Sequence, residues 1–477
     1  MQLLKSKWLR FVGLLILGGL IFWGLSLGNT KTPAFVALLE PLPQDPQIQV
    51  YFNYAQSSRY INPYTQQERL GDNLEQILLN GIASAQSSID MAVQELRLPA
   101  IAHALAEKQA AGVKVRVILE NSYSQPWSQL TVNQLNDLDE RERRKYAELV
   151  AIADTNGDSQ ISAQEAATSD ALVILQNARI PVIDDTADGS KGSGLMHHKF
   201  LIIDQTQVIT GSANFTTSGI HGDVLREDSL GNVNHLVQIE SPAVAALFTQ
   251  EFNTMWGQVG NHAATSKFGL QKPYRPAQTV RLTPTSTVTV QFSPTSTSQP
   301  WEQTGNGLIS RALKTAKTST DLALFVFSDQ KLVDTMKPLA QKGVQVRALV
   351  DSGFIYRDYS EALDLMGVAL PRDSCEYEDG NAPWNPGLET VGVPQLVEGD
   401  VLHHKFGVVD QRLVITGSQN WSDAANATND ETVLVIDNPT VAAHFHREFE
   451  RLYSSATLGV PDWLQDKVND TTAQCLK

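Results

Sequence analysis

The sequence predicts a mixed α/β fold in which one unit of strands and helices occurs twice. Two observations support this fold class: four pairs of segments match between the halves of the chain, and short β-branched strands alternate with helical segments in each half. The matching pairs are residues 88–93 with 320–325, 112–120 with 343–351, 232–239 with 429–436, and 242–248 with 439–445. This alternation is typical of a largely buried mixed sheet flanked by helices.

The repeats also predict the order of domains along the chain. A stretch rich in Pro, Thr and Ser separates the two copies, and this composition is typical of a linker. We expect a membrane segment over residues 1–30, a first domain over 46–266, a linker over 267–287, a second domain over 288–457 and a tail over 458–477. The first domain carries an insertion, at about residues 122–170, that the second lacks.

The composition limits the classes of function. The chain has 477 residues, a formal net charge of −15 and only two cysteines, Cys375 and Cys475. An acidic chain is poorly suited to hold duplex DNA, since that binding depends on many Lys and Arg contacts with phosphates. Two cysteines exclude a disulfide-rich scaffold and a cysteine-rich zinc site, and they allow one disulfide if the domain is exported.

The N-terminus predicts a membrane anchor. Lys5, Lys7 and Arg10 precede an uncharged run of 18 residues, 11–28, which is long enough to cross a bilayer as a helix with its basic end in the cytoplasm. The alternative is a cleaved signal peptide, although no A-x-A site follows closely. In both cases we expect the rest of the chain outside the cytoplasm, either anchored to the membrane or secreted.

Each copy carries the same pattern of polar residues, H-x-K-x4-D-x6-G-S-x-N. The first copy supplies His197, Lys199, Asp204, Gly211, Ser212 and Asn214, and the second supplies His403, Lys405, Asp410, Gly417, Ser418 and Asn420. This doubled pattern resembles the motif of the phospholipase D superfamily, and the resemblance extends over about residues 48–453. It implies two α/β/α sandwich halves related by a pseudo-two-fold axis, with one active site at their interface.

These residue types suit attack on a phosphodiester. Side chains at i and i+2 of a strand point to the same face, so His197 and Lys199 can reach one phosphate together. His403 and Lys405 form a second such pair. Two lysines would neutralise the non-bridging oxygens. One imidazole would attack phosphorus, and the other would exchange a proton with the leaving alcohol and then with water.

The other motif residues are expected to support this chemistry. Hydrogen bonds to the phosphate are expected from Ser212, Asn214, Ser418 and Asn420. We interpret Asp204 and Asp410, which follow apolar runs, as orienting or structural members of the catalytic set. His198 and His404 should point to the opposite face of their strands, where we expect a packing role.

A difference between the copies suggests separate roles for the two histidines. Glu431 lies on the strand where superfamily members commonly place the carboxylate that holds the catalytic imidazole, and the aligned residue in the first copy is Asn234. We expect Glu431 beside His403, favouring its charged, proton-donating form, and Asn234 beside His197, leaving that imidazole neutral. His197 is then the nucleophile, as the resemblance also implies. Alternatively, Glu227 or Asp228, in a stretch inserted after the first motif, supplies the carboxylate of the first copy.

The insertion in the first domain resembles an EF-hand calcium loop. Side-chain ligands are expected from Asp154, Asn156, Asp158 and Glu165, at loop positions 1, 3, 5 and 12, and Gln160 at position 7 completes the expected set. Ser159 replaces the glycine that usually takes the left-handed turn, at a cost of about 1 kcal/mol. The alternative is a solvated acidic loop. We favour a structural or regulatory calcium site. No catalytic metal is expected, because neither H-E-x-x-H nor a carboxylate cluster accompanies the histidine–lysine pairs.

The motif leaves the substrate open. Relatives in the superfamily cleave phospholipids, transfer phosphatidyl groups or cut nucleic acid. The membrane segment, the outward placement and the acidic charge favour a phospholipase D activity, in which a monomer hydrolyses a phospholipid to phosphatidic acid and a head-group alcohol. The alternatives are an exported nuclease, a phosphatidyltransferase of the cardiolipin synthase type, and a non-enzymatic calcium-dependent membrane-binding module.

Overall fold

The computed structural model describes residues 37–258 and 265–475. The predicted membrane segment over residues 1–30 lies outside the described residues. Within those two ranges, no helix combines the length and the apolar character that a membrane span requires. From Pro41 onward, the described residues form one compact unit that contains both copies of the repeat.

The first half forms a seven-stranded mixed sheet with helices against it. Its strands are β1 (Ile48–Phe52), β2 (Arg59–Ile61), β3 (Glu68–Leu70), β4 (Ser88–Val93), β5 (Lys114–Leu119), β6 (Val182–Asp184), β7 (Lys199–Ile203), β8 (Gln207–Gly211) and β9 (His235–Glu240). Its helices are α1 (Leu74–Ser84), α2 (Pro99–Ala110), α3 (Val132–Asp137), α4 (Glu140–Ala153), α5 (Ala163–Ser169), α6 (Ala171–Asn177), α7 (Thr217–Ile220) and α8 (Pro242–Trp256). The order in the sheet is β1-β9-β8-β7-β4-β5-β6, with only β4, β5 and β6 parallel to one another, while β2 and β3 pair separately.

The second half forms a nine-stranded sheet. Its strands are β10 (Gln278–Thr283), β11 (Ser286–Phe292), β12 (Ser319–Leu324), β13 (Phe327–Ser328), β14 (Gln345–Val350), β15 (Val391–Val393), β16 (Lys405–Val409), β17 (Leu413–Gly417), β18 (Trp421–Ser422), β19 (Thr432–Asp437) and β20 (Thr457–Leu458). Its helices are α9 (Gly305–Leu313), α10 (Gln330–Gln341), α11 (Glu361–Met366), α12 (Asp423–Ala427), α13 (Pro439–Tyr453) and α14 (Asp462–Cys475). The order is β10-β11-β19-β17-β16-β12-β14-β15-β20, and β13 pairs with β18.

The two sheets share one strand order. The spatial order β1-β9-β8-β7-β4-β5-β6 of the first sheet matches the order β11-β19-β17-β16-β12-β14-β15 in the second. One predicted match is wrong by one residue: the segment that corresponds to residues 88–93 begins at Ser319, where β12 begins, and not at residue 320. Strands β4 and β12 pair with β5 and β14 in the same register, so Gln94 and Phe325 occupy equivalent positions directly after them.

Apolar side chains from both halves share a core between the two sheets. It includes Phe200 and Phe248 from the first half and Phe406 and Phe445 from the second, all fully buried. Further apolar cores lie beneath α1 and α2 in the first half and beneath α9 and α10 in the second. Because burial of apolar surface is the dominant favourable term in folding, the shared core holds the halves, and with them the motif strands, in one arrangement.

The predicted linker contains regular structure. Strand β10 lies within residues 267–287 and pairs with β11, which in turn pairs with β19. The Thr and Val residues of this stretch favour an extended strand, which explains the difference from the predicted irregular connection. Lys272, in the same stretch, is buried and forms ion pairs with Glu251 and Asp430. The segment therefore extends the second sheet and contributes to the interface between the halves.

The predicted tail over residues 458–477 also packs against the second half. Helix α14 covers most of it, and its Leu464 is fully buried in the apolar core there. A disulfide joins Cys475 to Cys375, which lies in the loop before β15. The sequence leaves the pairing of these cysteines open, and the structure pairs them.

The insertion in the first domain consists of short helices. Helix α4 is followed by a loop and then by α5, and capping boxes begin at Asp139 and Ser162. Helix α4 contacts the sheet domain at two polar points. Lys145 forms a 2.6 Å ion pair with Glu95, and Thr217 donates a 2.6 Å hydrogen bond to Glu148 of the same helix.

Candidate active site

The two motif strands bring the predicted histidine–lysine pairs to the interface between the halves. Strand β7 begins at Lys199 and β16 begins at Lys405, so each histidine lies two residues before its strand. The backbone of each histidine is bonded to the other half. His197 N donates to the carbonyl of Asp430 (2.9 Å), and His403 N donates to the carbonyl of Val233 (3.1 Å).

The side chains of the two histidines are also held by the other half. Nδ1 of His197 lies 2.7 Å from Oε2 of Glu431, and Nδ1 of His403 lies 2.9 Å from Oδ1 of Asn234. The prediction that Glu431 lies beside His403 and Asn234 beside His197 is therefore wrong. The backbone bonds described above explain this arrangement. They join His197 to the residue before Glu431 and His403 to the residue before Asn234.

Burial dominates the electrostatics of this site. It lowers the pKa of His197 and of His403 well below the ordinary value, and the charges of Lys199 and Lys405 act in the same direction on both rings. The two histidines and two lysines thus lie in one electrostatic environment. Burial also raises the pKa of Glu431 to about 7, against the opposing effects of Lys199 and a hydrogen bond from a serine.

The two lysines are fully buried and only partly satisfied. Nζ of Lys199 donates to the carbonyl of His197 (2.9 Å) and contacts Oε1 of Gln94 at 3.4 Å. Nζ of Lys405 donates to the carbonyl of His403 (2.9 Å). Burial lowers the pKa of Lys199 to about 7, and burial together with the charge of Lys199 lowers that of Lys405. An anion bound between these ammonium groups would favour their charged forms.

The motif serines support the histidine partners. Ser418 donates to Oε2 of Glu431, and Ser212 donates to Oδ1 of Asn234, each at 2.7 Å. Their hydroxyls are therefore engaged one layer behind the histidines in this arrangement, and their expected hydrogen bonds to the phosphate stay a prediction. Each serine follows a glycine of the motif. A Cβ on Gly211 or Gly417 would lie within about 2.2 Å of a carbonyl oxygen in β9 or at the start of β19, so only glycine permits this close approach.

Of the two roles expected for Asp204 and Asp410, orienting or structural, the contacts of both carboxylates support the structural one and lie away from the histidine–lysine pairs. Asp204 lies five residues beyond Lys199, roughly 17 Å along an extended strand. Its carboxylate accepts hydrogen bonds from the backbone N–H groups of residues 86–88 and from the hydroxyl of Ser87. Asp410 binds the start of β12 in the same way, through Lys317, Thr318 and Ser319. Each carboxylate therefore links the end of its motif strand to the turn before the neighbouring strand, which is β4 for Asp204 and β12 for Asp410.

Replacing Asp204 by Asn is expected to lower the free energy of unfolding by about 2 kcal/mol while the folded protein keeps its turnover. Burial opposes ionisation of Asp204, yet its hydrogen bonds outweigh burial and lower its pKa. Its contribution should therefore be present above the ordinary carboxyl pKa and be lost as pH falls through the lowered one. Urea unfolding at several pH values checks this. A loss of turnover without a loss of stability would return Asp204 to the catalytic set.

The neighbouring histidines have the packing role that the sequence predicts. His198 and His404 are fully buried, and their Nε2 atoms contact Glu251 (3.1 Å) and Glu448 (3.0 Å), respectively. Nδ1 of His404 lies 3.0 Å from Nδ1 of His235. Each ring is thus satisfied on the face of its strand opposite the catalytic residue.

Two contacts of the motif lysines are missing from the sequence prediction. Gln94 contacts Lys199, and the ring of Phe325 lies 4.9 Å from Nζ of Lys405. Both residues directly follow a repeat strand, so a comparison of that position between the copies could have found them. Asn214 donates to Gln94 (3.1 Å), while the side chain of its counterpart Asn420 forms no hydrogen bond within the described ranges.

The predicted calcium ligands lie in the loop between α4 and α5, except for Glu165, which lies in the first turn of α5. Backbone N–H groups of the loop donate to Asp154, Asn156 and Asp158, and the carboxylate of Glu165 accepts from Thr155 and Ser162. Ser159 has a φ of 61°, the left-handed conformation of the position where an EF-hand has glycine. In this arrangement, residues 37–258 and 265–475 contain no group of three or more His, Cys, Asp or Glu side chains placed to hold a metal ion.

Comparison with known proteins agrees with this architecture. A family model described as cardiolipin synthase, PLD-like domain, matches residues 78–256 and 309–453. The human mitochondrial cardiolipin hydrolase is 33% identical over 145 residues, which cover 30% of this chain and 48% of the relative. Its mouse counterpart is 30% identical over 158 residues, which cover 33% and 61%. The chain thus spans about half to three fifths of the length of these relatives.

A solved structure shows the same fold over nearly the whole chain. The crystal structure of phosphatidylserine synthase from Haemophilus influenzae Rd KW20 superposes with a TM-score of 0.54 at 12% identity, covering 92% of this chain and 96% of the other. At that identity the likeness concerns the fold alone. The family model, in contrast, matches well over half of the chain in two segments, and each segment contains one histidine–lysine pair. The chain therefore belongs to the family of phospholipase D-like (PLD-like) domains.

Proposed function

We propose that the protein is a phospholipase D-type phosphodiesterase that hydrolyses a phospholipid to phosphatidic acid and a head-group alcohol. The observation that carries the proposal is the reciprocal pairing of the two histidines, each held by a polar side chain from the other half. The family and the relatives named cardiolipin hydrolase support a phospholipid substrate. The shared strand order supports a pseudo-two-fold relation between the halves, and since one chain supplies both, we propose an active monomer.

In the first step, His197 is the nucleophile. A carboxylate at its Nδ1 selects the tautomer with a free lone pair on Nε2, and it stabilises the positive charge that the ring gains on attack. The N–P bond forms, the P–O bond to the head group breaks, and His403 gives a proton to the leaving oxygen. This is the role expected from the sequence, but for a different reason: Glu431 stabilises the nucleophile and not the general acid.

In the second step, water takes the place of the leaving alcohol. His403 accepts a proton from water, whose oxygen bonds to phosphorus as the N–P bond breaks. Burial and the lysine charges lower the pKa of His403, so the free site disfavours its protonated form. An anionic diester bound by Lys199 and Lys405 offsets those charges and favours the proton that the first step needs. Since two ammonium groups supply the positive charge, we propose that catalysis needs no metal ion.

One incubation tests the substrate. The purified protein is given labelled phosphatidylcholine, phosphatidylglycerol, cardiolipin and single-stranded DNA, and the products are separated. Release of a head-group alcohol with formation of phosphatidic acid is the expected result. Cleavage of DNA alone would support the exported nuclease and refute the phospholipase.

Phosphatidyl transfer is the second candidate, and two findings favour it. The matching family is described as cardiolipin synthase, and the solved structure of the same fold is a phosphatidylserine synthase. A transferase would use the same phosphohistidine but would consume it with an alcohol. In the incubation above, a new phospholipid formed in preference to phosphatidic acid would select this candidate.

We propose that the catalytic unit lies outside the cytoplasm, held by the predicted helix over residues 11–28 or secreted after its cleavage. The disulfide between Cys375 and Cys475 supports export, because disulfides persist mainly in oxidising compartments. Protease added to cells with an opened outer envelope should digest the unit. Full protection, with the intact protein in the cytosol, would refute this placement.

We also propose that residues 154–165 bind calcium in a structural or regulatory role. The all-oxygen donor set and the left-handed Ser159 support this proposal. Calorimetry should show binding near millimolar calcium, and Asp154→Ala should remove it. Chelation should lower the melting temperature without abolishing turnover. Absence of binding at several millimolar calcium would leave a solvated acidic loop.

A further inference from the structure

The two walls of the active site differ at one pair of equivalent positions. Gln94 follows β4 in the first half, and Phe325 follows β12 in the second. Oε1 of Gln94 accepts hydrogen bonds from Lys199 (3.4 Å) and Asn214 (3.1 Å). Phenylalanine has no acceptor, so the second half cannot form the two equivalent bonds.

Phe325 instead presents an aromatic surface to the catalytic groups. Its ring centroid lies 4.9 Å from that of His403 and 4.7 Å from that of Phe354. Both phenylalanines are half-buried, so each ring keeps some exposed surface. The imidazole of His403 therefore lies against an apolar wall, whereas the first half has a polar amide at the equivalent position.

Asn420 is the counterpart of Asn214, and its side chain lacks a partner. The backbone N–H of Trp421 donates to the carbonyl of Val326 (3.2 Å), so Asn420 lies beside the segment that follows β12. The Oδ1 atoms of Asn214 and Asn420 are both buried without a donor, but the amide of Asn214 donates to Gln94, whereas among the described residues nothing bonds the side chain of Asn420. A buried acceptor costs free energy unless a donor reaches it, and the O–H of an alcohol is such a donor.

We propose that Phe325 and Phe354 form the subsite for the alcohol of the reaction, and that this subsite favours alcohols with apolar carbon over water. It holds the departing head-group alcohol in the first step and the incoming acceptor in the second. The inference rests on the proposed function, in which His403 is the acid and base. In a displacement at phosphorus, the leaving group lies opposite the nucleophile and hence at His403.

The subsite selects the acceptor and leaves the chemistry unchanged. When an alcohol enters, its oxygen bonds to phosphorus, its proton passes to His403, and the N–P bond to His197 breaks, which yields a new phosphodiester. When water enters, the same exchange yields phosphatidic acid. The wall removes the carbon surface of an alcohol from water, and this gain does not exist when water is the acceptor.

The partition between the two acceptors tests the proposal. The full-length protein is given labelled phosphatidylcholine vesicles with ethanol, 1-propanol or 1-butanol at equal molarity, and the ratio of phosphatidylalcohol to phosphatidic acid is measured. For the wild type, this ratio should rise about three- to fourfold with each methylene group. Phe325→Gln, which copies the first half, should remove the dependence on chain length and lower the ratio for 1-butanol about tenfold.

Phe325→Leu is the matched control, because leucine keeps an apolar side chain without the ring. It should retain the dependence on chain length. The slope is the change of this product ratio with each methylene group of the alcohol. Equal slopes for the wild type and Phe325→Gln would overturn the proposal. A slope lost to the same extent in Phe325→Leu would overturn it as well, since an apolar wall would then not be the cause.

A lipid-free substrate separates this inference from the proposed function. Cleavage of bis(4-nitrophenyl) phosphate requires no lipid recognition. When 1-butanol is present, the ratio of the butyl diester to 4-nitrophenyl phosphate reports on the same subsite. Cleavage of this diester without cleavage of any phospholipid would refute the phospholipase and still leave the slope as the test of the subsite. A wild-type slope that is flat on both substrates would refute the subsite alone.

Discussion

Replacing either His197 or His403 by alanine is expected to lower turnover by about four orders of magnitude or more. In the proposed mechanism the two side chains have different roles at the same phosphorus, so neither can replace the other. Groups that act as a unit are strongly non-additive, and the double variant should therefore be scarcely worse than either single one. Turnover of the three variants on one phosphodiester, measured under single-turnover conditions, checks this expectation.

The exposed His103 offers a matched control. It contacts the carbonyl of Thr168, away from the interface between the halves, so His103→Ala should keep full turnover. The melting temperature of each variant shows whether it is folded. Substantial turnover in either His197→Ala or His403→Ala, with an unchanged melting temperature, would show that each half works alone and would contradict the shared site.

Glu431→Gln is expected to lower turnover by about three orders of magnitude. The substitution keeps the size of the side chain but removes the charge that stabilises the imidazolium of His197 during attack. Since burial raises the pKa of Glu431 to about 7, wild-type turnover should decline as pH falls below that value and the carboxylate is protonated. The variant should lack this limb of the pH profile.

The stability of Glu431→Gln provides an independent readout. A carboxyl whose pKa is raised on folding costs stability as pH rises from its ordinary value, about 4.3, to the raised one near 7. The wild type should lose this stability over that range, and the variant should not. Asn234→Ala is the matched change at the other histidine and should cost less turnover, because no charge is removed. A larger loss in Asn234→Ala than in Glu431→Gln would contradict the roles assigned here.

The sequence predicts the architecture well because the chain repeats itself. The doubled motif and the matched segments anticipate two α/β units and the meeting of His197 and His403. A local pattern also identifies the loop after α4. All of these features depend on periodicity and spacing within short stretches, which a single sequence records directly.

Contacts between distant parts of the chain are what the sequence does not reveal. Glu431 is 234 residues from His197, and nothing in either segment records that the halves exchange these partners. Asp204 has the motif spacing of a catalytic residue, yet the strand carries it to the opposite end of the sheet. The stretch rich in Pro and Thr is typical of a linker, but part of it pairs with β11 and forms strand β10.

The identity of the phosphorylated histidine shows whether His197 is the nucleophile of a site that both halves share. A diester labelled at phosphorus is mixed with the protein, the reaction is stopped in base to preserve a phosphohistidine, and the labelled peptide is mapped. We expect label on His197 in the wild type and its accumulation when His403 is replaced. Label on His403, or turnover without any phosphohistidine, would contradict this expectation.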